Sequence, residues 1–381
     1  MNFSFNQDDE LLAETLRDYA LRRLAPDMGR WRVEDFPRDR VQELGALGVL
    51  GIRIDPEHGG SQGDLVSVGI AAEELSRGDF NVSYFVQLAT IGSMLLARAD
   101  QSIQRTWLPA IASGDRIVAF GLTEPGVGSD AANLTMSARA DGETWLLNGE
   151  KASITFAGNA DACVVFARTG GPGARGVSMI LVPLDAPGVS RRRYASAGGH
   201  VSQRGSLFFD DVRVPLDHQI GEEGSGFITA MQAFDFNRAL IALSCLGTAA
   251  QSLDETIEYA KHRTTFGKPL ARHEGVAFQL AEHAALLHAT RLLAYETLAL
   301  ADAGRPHTKE AAMVKWLGPK QSVEAIHACM LLHGWSGYGT DLPFEQRLLD
   351  VIGLEVGDGT PEIMKSVIAR ELFGREFAAY R

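Results

Sequence analysis

Apolar positions recur close to the helical period through the first ~115 residues, with few breakers inside each segment. The spacing predicts helices over Asp8 to Leu24 (broken by Pro26), Arg38 to Leu47 (ended by Gly48) and Leu65 to Ser76. Two more follow, over Asp79 to Arg98 and Gln101 to Ile111, while Asp55-Pro56-Glu57-His58-Gly59-Gly60 is loop by composition. From about Ile117 to Gly221 the period changes to two. Strands are predicted at Leu134–Ala140, Thr144–Leu147, Cys163–Ala167, Val177–Val182 and Ser206–Phe209. Asp141-Gly142 and Asn148-Gly149, both strong turn dipeptides, sit between or after them. No long helical pattern is interleaved, so this stretch reads as antiparallel β and not as βαβ units. After Gly226 the long helical patterns return: Phe227–Arg263, then His273–Gly304 with Leu286, Leu293 and Leu300 on one heptad stripe. Thr308–Gly334 is interrupted by Gly318-Pro319, a predicted kink, and Thr360-Pro361 opens a last helix with an N-cap residue and proline at the first turn. The fold class is therefore α+β. A helical domain (1–115) precedes an antiparallel β domain (116–222) and a C-terminal domain (223–381) whose helices pack as a four-helix bundle.

The 381 residues suffice for two or three structural units, and 45% hydrophobic with 22% charged residues is an ordinary globular composition. The mostly apolar run Ala239 to Ala250, between Arg238 and Gln251, is too short to span a bilayer, and no membrane segment is expected. Met1–Glu10 carries Asp8, Asp9 and Glu10 and shows neither a secretory nor a transit pattern. A net charge of −12 argues against a nucleic-acid partner. Cys163, Cys245 and Cys329 are odd in number and far apart, which fits a reducing, cytoplasmic setting. There is no HExxH, and His283 and His288 share a helical face poorly, so no metal site is expected.

Gly171-x-Gly173-x-x-Gly176 matches the dinucleotide fingerprint as a string, but it contains Pro172, lies between two strands and opens no helix. It reads as a hairpin loop. Phe120-Gly-Leu-Thr-Glu-Pro-Gly-Val-Gly-Ser-Asp130 is more informative. Its plain reading is a strand end running into a Gly-rich turn. Its functional reading is a strand end offering backbone groups and the Thr123 hydroxyl, followed by glycines that allow a planar or phosphorylated ligand to approach the backbone.

In combination with three further segments, this one resembles the flavin-binding signature of the acyl-CoA dehydrogenase family. Asn148-Gly-Glu-Lys-Ala-Ser-Ile-Thr155 resembles the family's second flavin strand, and Arg263-Thr-Thr-Phe-Gly-Lys-Pro-Leu270 its RxxFGxPL motif. His333-Gly-Trp-Ser-Gly-Tyr338 and Gly357-Asp-Gly-Thr360 resemble the HGGxGY and EGT segments, in the right order and at the right distances. The resemblance covers essentially the whole chain, and it implies an FAD cofactor. Leu122, Thr123 and Ser153-Ile154-Thr155 would border the isoalloxazine, with the Thr155 hydroxyl near flavin N5, and Ser129 would also belong to the cofactor site. Arg263, Thr265 and Phe266, with His333, Gly334 and Gly337 beside them, would hold the adenosine-diphosphate end of a neighbouring subunit's FAD. Thr360 and Glu362 would meet the same FAD at a helix start. Ser129, Phe234, Asp235, Arg238, Gly357 and Gly359 would line the acyl-CoA channel. Each has a structural reading too: Arg263 as a solvated helix-end cation, Thr360 as a plain N-cap, Asp235–Arg238 as an i,i+3 ion pair.

The departures from the family pattern are specific. The usual catalytic glutamate falls on Asp358, and the alternative base position is Asn237, which cannot serve. The tryptophan beside the flavin is Ser153, a glycine of HGGxGY is Trp335, the glutamine two residues before the histidine is Leu331, and the residue before the base is Gly357. Aspartate draws the carboxylate back by about one carbon–carbon bond, ~1.5 Å. With Gly357 opening space, this resembles a branch acting on alicyclic thioesters such as cyclohexanecarboxyl-CoA. The implied reaction is α,β-dehydrogenation: Asp358 takes the α-proton as general base, and hydride leaves the β-carbon for flavin N5. The resemblance also implies an electron-transfer flavoprotein as acceptor and a homotetramer. Rival readings on the same fold are a flavin monooxygenase or oxidase, an acyl-carrier-protein dehydrogenase using the basic run Arg191-Arg192-Arg193, and a non-catalytic flavoprotein scaffold.

Overall fold

The computed structural model describes residues 5–28 and 36–377. The helix, β, helix order expected from the sequence is present. In chain order the helices before the sheet are α1 (Gln7–Tyr19), α2 (Arg38–Ala46), α3 (Leu65–Gly78), α4 (Ser83–Leu96) and α5 (Gln101–Ala112). The sheet strands are β1 (Val118–Gly121), β2 (Ser137–Asp141), β3 (Thr144–Ile154), β4 (Ala162–Arg168), β5 (Val177–Pro183), β6 (Val189–Arg193), β7 (Gly205–Pro215) and β8 (Gln219–Ile220). After them come α6 (Gly226–His262), the two-residue strands β9 (Thr264–Thr265) and β10 (Lys268–Pro269), and α7 (Glu274–Asp302). The chain closes with α8 (Thr308–Leu332), the single turn α9 (Trp335–Tyr338), α10 (Phe344–Val356) and α11 (Pro361–Phe373). Packing gathers these into two compact units: residues 34–64 and 84–234 form a β unit, and residues 1–33, 65–83 and 235–381 a helical unit.

In the β unit the strand order is β6-β7-β3-β2-β4-β5-β8, with β1 beside β4. Most neighbours are antiparallel, as expected. β1 runs parallel to β4, because a long connection separates β1 from β2 and frees it to pair with a strand distant in sequence. The Asp141-Gly142 signal closes the β2–β3 hairpin, in which Asp141 pairs with Thr144 and Gly142 takes a left-handed φ of +63°. Asn148-Gly149 does not turn the chain. β3 runs straight through it, with a register shift against β7 between Leu147 and Gly149. A Cβ at Gly149 would lie 2.8 Å from Met136 Cγ, so glycine serves close approach inside a bulge. Gly171–Gly176 is a loop with one 3₁₀ turn between β4 and β5, and no helix follows it.

In the helical unit α8 packs on α7, α10 and α11, and α3 on α1 and α7. Glycines set two approaches. A Cβ at Gly247 would lie 2.1 Å from the Glu73 carbonyl oxygen, and one at Gly318 would lie 2.6 Å from Ala242 Cβ. α8 continues through Gly318-Pro319, so this glycine marks a helix crossing. On α7 the inward line is Leu280, Leu287, Ala294 and Leu298. The Leu286–Leu293–Leu300 stripe is displaced by one residue from that line, and Leu286 is 39% exposed. Buried Glu73 accepts from Arg291 and from the Tyr295 hydroxyl, both at 2.6 Å, while Glu74 takes a forked pair from Arg17. These bonds tie α1, α3 and α7 together across an otherwise apolar core.

Candidate active site

In the β unit, β1 delivers Leu122 and Thr123 to the sheet end, where the Thr123 carbonyl accepts the Ala152 N–H at 2.8 Å. Glu124 and Val127 exchange backbone hydrogen bonds around Pro125-Gly126. A buried ion pair braces this turn from behind. Lys151 Nζ donates to Glu124 at 2.7 Å and to the Leu122 carbonyl at 3.2 Å, with Lys151 fully buried and Glu124 6% exposed. Glu124 also accepts from the Thr135 N–H and hydroxyl and from the Met136 N–H. Burial works to raise the Glu124 carboxyl, but Lys151 and Thr135 overcome it and hold the group below the usual range. A carboxylate with every lone pair engaged fixes the strand end rigidly.

In front of that turn is an open cavity of about 630 Å³, bordered by Thr123, Gly126, Gly128, Ser153, Arg192 and Tyr194. Cβ atoms at Gly126 and Gly128 would meet nothing, so the turn faces open space. Ser153 is exposed, sits at φ +58° beside a second register shift in β3, and its carbonyl accepts from Arg204. Small residues at these positions leave room for a planar ring, and the hydroxyls and backbone amides around it are suited to hydrogen-bonding a flavin. Leu122, Ser129, Ile154 and Thr155 are chain neighbours of this surface but do not border the cavity; Ile154 is buried and Ser129 exposed. Phe234 is half-buried on α6. In the basic run, Arg191 is taken up by the carbonyls of Gly158, Ala160 and Leu184.

In the helical unit, Asp358 stands exposed between the C-terminus of α10 and the N-cap of α11, with a left-handed φ of +55°. Asn237 of α6 donates its amide to Asp358 Oδ2 at 2.9 Å. A carboxylate only accepts, so the Asn237 carbonyl must face away, and among the described residues it is buried without a donor. Lys315 of α8, 1% exposed, donates to the carbonyls of Glu355 (at 3.2 Å) and Gly359. Burial lowers the Lys315 ammonium to about 8, while nearby Asp358 pulls the other way. A Cβ at Gly357 would meet nothing closer than the Gly353 carbonyl at 3.6 Å, so the position before Asp358 is open. Gly359 has no such freedom: its φ is +109° and a Cβ would lie 2.5 Å from the Met364 methyl. Thr360 caps α11 through the Ile363 N–H, and Glu362 is exposed in its first turn.

The remaining sequence-predicted residues of this unit are less gathered. Asp235 and Arg238 form the i,i+3 pair at 2.6 Å, and the second Asp235 oxygen accepts from Thr308. Arg263 and Thr265 lead into a two-residue hairpin whose tip is Phe266-Gly267, with Phe266 97% exposed at φ +51°. His333 is buried between Tyr259 and Phe344, and its Nδ1 donates to the Cys329 carbonyl. Gly334 takes φ +61°, and a Cβ at Gly337 would lie 2.1 Å from the Met330 carbonyl. Trp335 is 83% exposed.

Sequence reading missed the Lys151–Glu124 brace, the hydrogen bond from the Asn237 amide and the straps from Lys315. One signal was available: Lys315 falls on the buried stripe of α8 with Ala311, Val314 and Gly318, an unusual place for lysine. Among the described residues no group of His, Cys, Asp and Glu is arranged to hold a metal ion, and no helix is long and apolar enough to cross a membrane.

Three family models match the chain: acyl-CoA dehydrogenase N-terminal domain over residues 6–115, middle domain over 119–212 and C-terminal domain over 224–373. The human mitochondrial short-chain specific acyl-CoA dehydrogenase is 37% identical over 368 residues, covering 95% of this chain and 89% of that protein. Butyryl-CoA dehydrogenase from Megasphaera elsdenii superposes with a TM-score of 0.93 at 29% identity, covering 98% of this chain and all of that one. A glutaryl-CoA dehydrogenase from Mycobacterium smegmatis in complex with FADH2 gives 0.92 at 30% identity, covering 99% of this chain and 97% of that one.

Proposed function

The chain belongs to the acyl-CoA dehydrogenase family, a flavin-dependent family of oxidoreductases, and on that premise we propose that it dehydrogenates a compact cyclic or branched acyl-CoA with FAD as cofactor. The observation that carries the substrate reading is the pairing of a short base, Asp358, with the open position at Gly357. A bulky α-carbon brought close to a retracted carboxylate fits this arrangement, and cyclohexanecarboxyl-CoA is such a substrate. Asp358 takes the α-proton, and its backbone N–H donates to the thioester oxygen as enolate-like charge develops there. Gly357 and Gly359 leave space around the acyl carbons, while Ser129, Phe234, Asp235 and Arg238 line the channel for the rest of the thioester.

Bound FAD supplies the hydride acceptor. Thr123, Ser153 and Thr155, with Leu122 and Ile154, serve the isoalloxazine; the small residues and open glycines around Thr123 support this. Arg263, Thr265 and Phe266 serve the adenosine-diphosphate end of a neighbouring subunit's FAD, with His333, Gly334, Gly337, Thr360 and Glu362. A fully exposed aromatic held in left-handed backbone supports that reach, since such strain persists where something else uses it. The same exposed Phe266, with Phe278 and Leu331, supports a homotetramer as the working form. The electron acceptor is an electron-transfer flavoprotein; the three family models support regions 1–115, 116–222 and 223–381 as the sequence domains, which packing joins into two units.

The test is a panel of acyl-CoA thioesters with an artificial electron acceptor, scored by bleaching of the flavin. Octanoyl-CoA turning over faster than cyclohexanecarboxyl-CoA would sink the cyclic reading and leave the family membership untouched.

A further inference from the structure

We propose that Lys315 is a positioning residue for the Asp358 carboxylate, a buried ammonium that straps the base loop through carbonyls on both sides of it and places a positive charge beside the base. This rests on the reading of Asp358 as the base. The loop needs such a strap. Asp358 holds a left-handed backbone that L side chains avoid, and it is solvent-exposed, so its own packing does not fix it. Lys315 reaches from α8 and donates to carbonyls on both sides of it, Glu355 in the last turn of α10 and Gly359 immediately after. The last carbonyls of a helix lack intrahelical partners and carry the negative end of its dipole, so an ammonium is the matching group. Without it, α10 would turn that negative end toward a carboxylate only two residues beyond its final residue.

Lys315 holds its charge against the cost of burying it. It is 1% exposed and forms no ion pair among the described residues. Its depressed affinity for the proton means that burial in the folded state disfavours the charge. A methionine would fill the same volume without that penalty, but would leave the Glu355 and Gly359 carbonyls without this donor. The groups facing its ammonium are the carboxylates of Asp358 and Glu355, the Cys245 thiol and the Arg238 guanidinium. Burial pushes the Cys245 thiol far up, so it stays neutral, and Arg238 is engaged by Asp235. Lys315 is therefore the cation of this set left to act on Asp358, and Asn237 completes the hold from the other side by donating to Oδ2.

The experiment uses the FAD-loaded enzyme and single-turnover flavin reduction by butyryl-CoA and cyclohexanecarboxyl-CoA, across about pH 5 to 9. Lys315→Met should retain FAD and bind thioester within about twofold, yet reduce flavin at least ~10-fold more slowly at neutral pH. Its acidic limb should move toward neutrality, because removing a cation raises the carboxyl's proton affinity. The fall in wild-type rate above about pH 8, where Lys315 loses its charge, should be absent from this variant. Lys315→Arg keeps the charge and should keep the acidic limb in place even where its rate falls. A Lys315→Met enzyme with the wild-type rate and profile overturns the proposal. So does a loss of rate matched by loss of FAD or melting temperature with an unmoved acidic limb, which is a plain structural role. Asp358→Asn run alongside separates the two readings: full activity there removes the base itself, whereas an inactive Asp358→Asn beside a normal Lys315→Met removes only Lys315.

Discussion

Asp358 carries one methylene fewer than the glutamate of the family pattern, and the structure puts two donors around it that the motif does not contain: the Asn237 amide on its side chain and Lys315 on its flanking carbonyls. In its proposed role as general base it should be hard to replace. Asp358→Asn should keep FAD and thioester binding but lose at least ~10²-fold in flavin reduction, read by stopped flow. Asn237→Asp is the sharper probe of the neighbourhood. It would set a second carboxylate at the 2.9 Å contact, and the pair would share a proton. Activity should then shift to higher pH, because the shared second proton is released less readily. An unshifted profile in that variant would mean the contact is not made in solution. Lys315 gives a third expectation, with a definite sign. Folded, it releases its proton near 8; unfolded, it holds it to the ordinary 10.5. Between those values the unfolded chain binds more protons, so the contribution of this group to stability rises with pH. Wild type should therefore gain on Lys315→Met by up to about 3 kcal/mol across that interval, measured by denaturant unfolding. At this scale the loop position of Asp358 was legible from the turn chemistry around it. The hydrogen bond from Asn237 was not, because its partner lies 121 residues away in the chain and no spacing rule connects them.

Among the elements, α10 and α11 meet the base loop with opposite ends: the carbonyl end of α10 and the amide end of α11. Thr360-Pro361 announced the second from sequence. The first was missed because α10 itself was not predicted, although Gly357 at its C-cap is a stop signal. Glycines show the same division. Gly247 in α6 reads as a helix weakness from sequence, whereas in the structure it admits the Glu73 carbonyl. Gly247→Ala should therefore destabilise by ~1–3 kcal/mol through a forced backbone shift. Gly353→Ala, in an open position inside α10, should instead stabilise by ~0.5–1 kcal/mol. Thermal melts of the pair check both signs. β3 carries the analogous lesson for strands, since Asn148-Gly149 is turn chemistry used as a bulge, and the decision came from Met136 on a neighbouring segment. The β9–β10 hairpin was marked by its motif, and its expected use is equally specific. Arg263→Ala should lower the FAD retained per chain, measured after gel filtration, with little change in far-UV circular dichroism.

For the whole molecule, the periodicity change from 3.6 to two and back was enough to read a helix, β, helix chain, because amphipathic period is a local consequence of which face each element buries. Composition and charge set aside membrane spans and nucleic acid as expectations, and ordered motifs supplied the family. These properties follow from residues close together in sequence, where spacing determines geometry. What only the tertiary structure decided is of another kind. It placed β1 parallel beside β4, turned Asn148-Gly149 from a hairpin signal into a bulge, and moved the inward stripe of α7 by one residue. It also brought Lys151 against Glu124, and Lys315 and Asn237 against the loop of Asp358. Each of these is a contact between segments far apart in the chain. Its free energy depends on burial and on the orientation of a partner, neither of which a local pattern encodes.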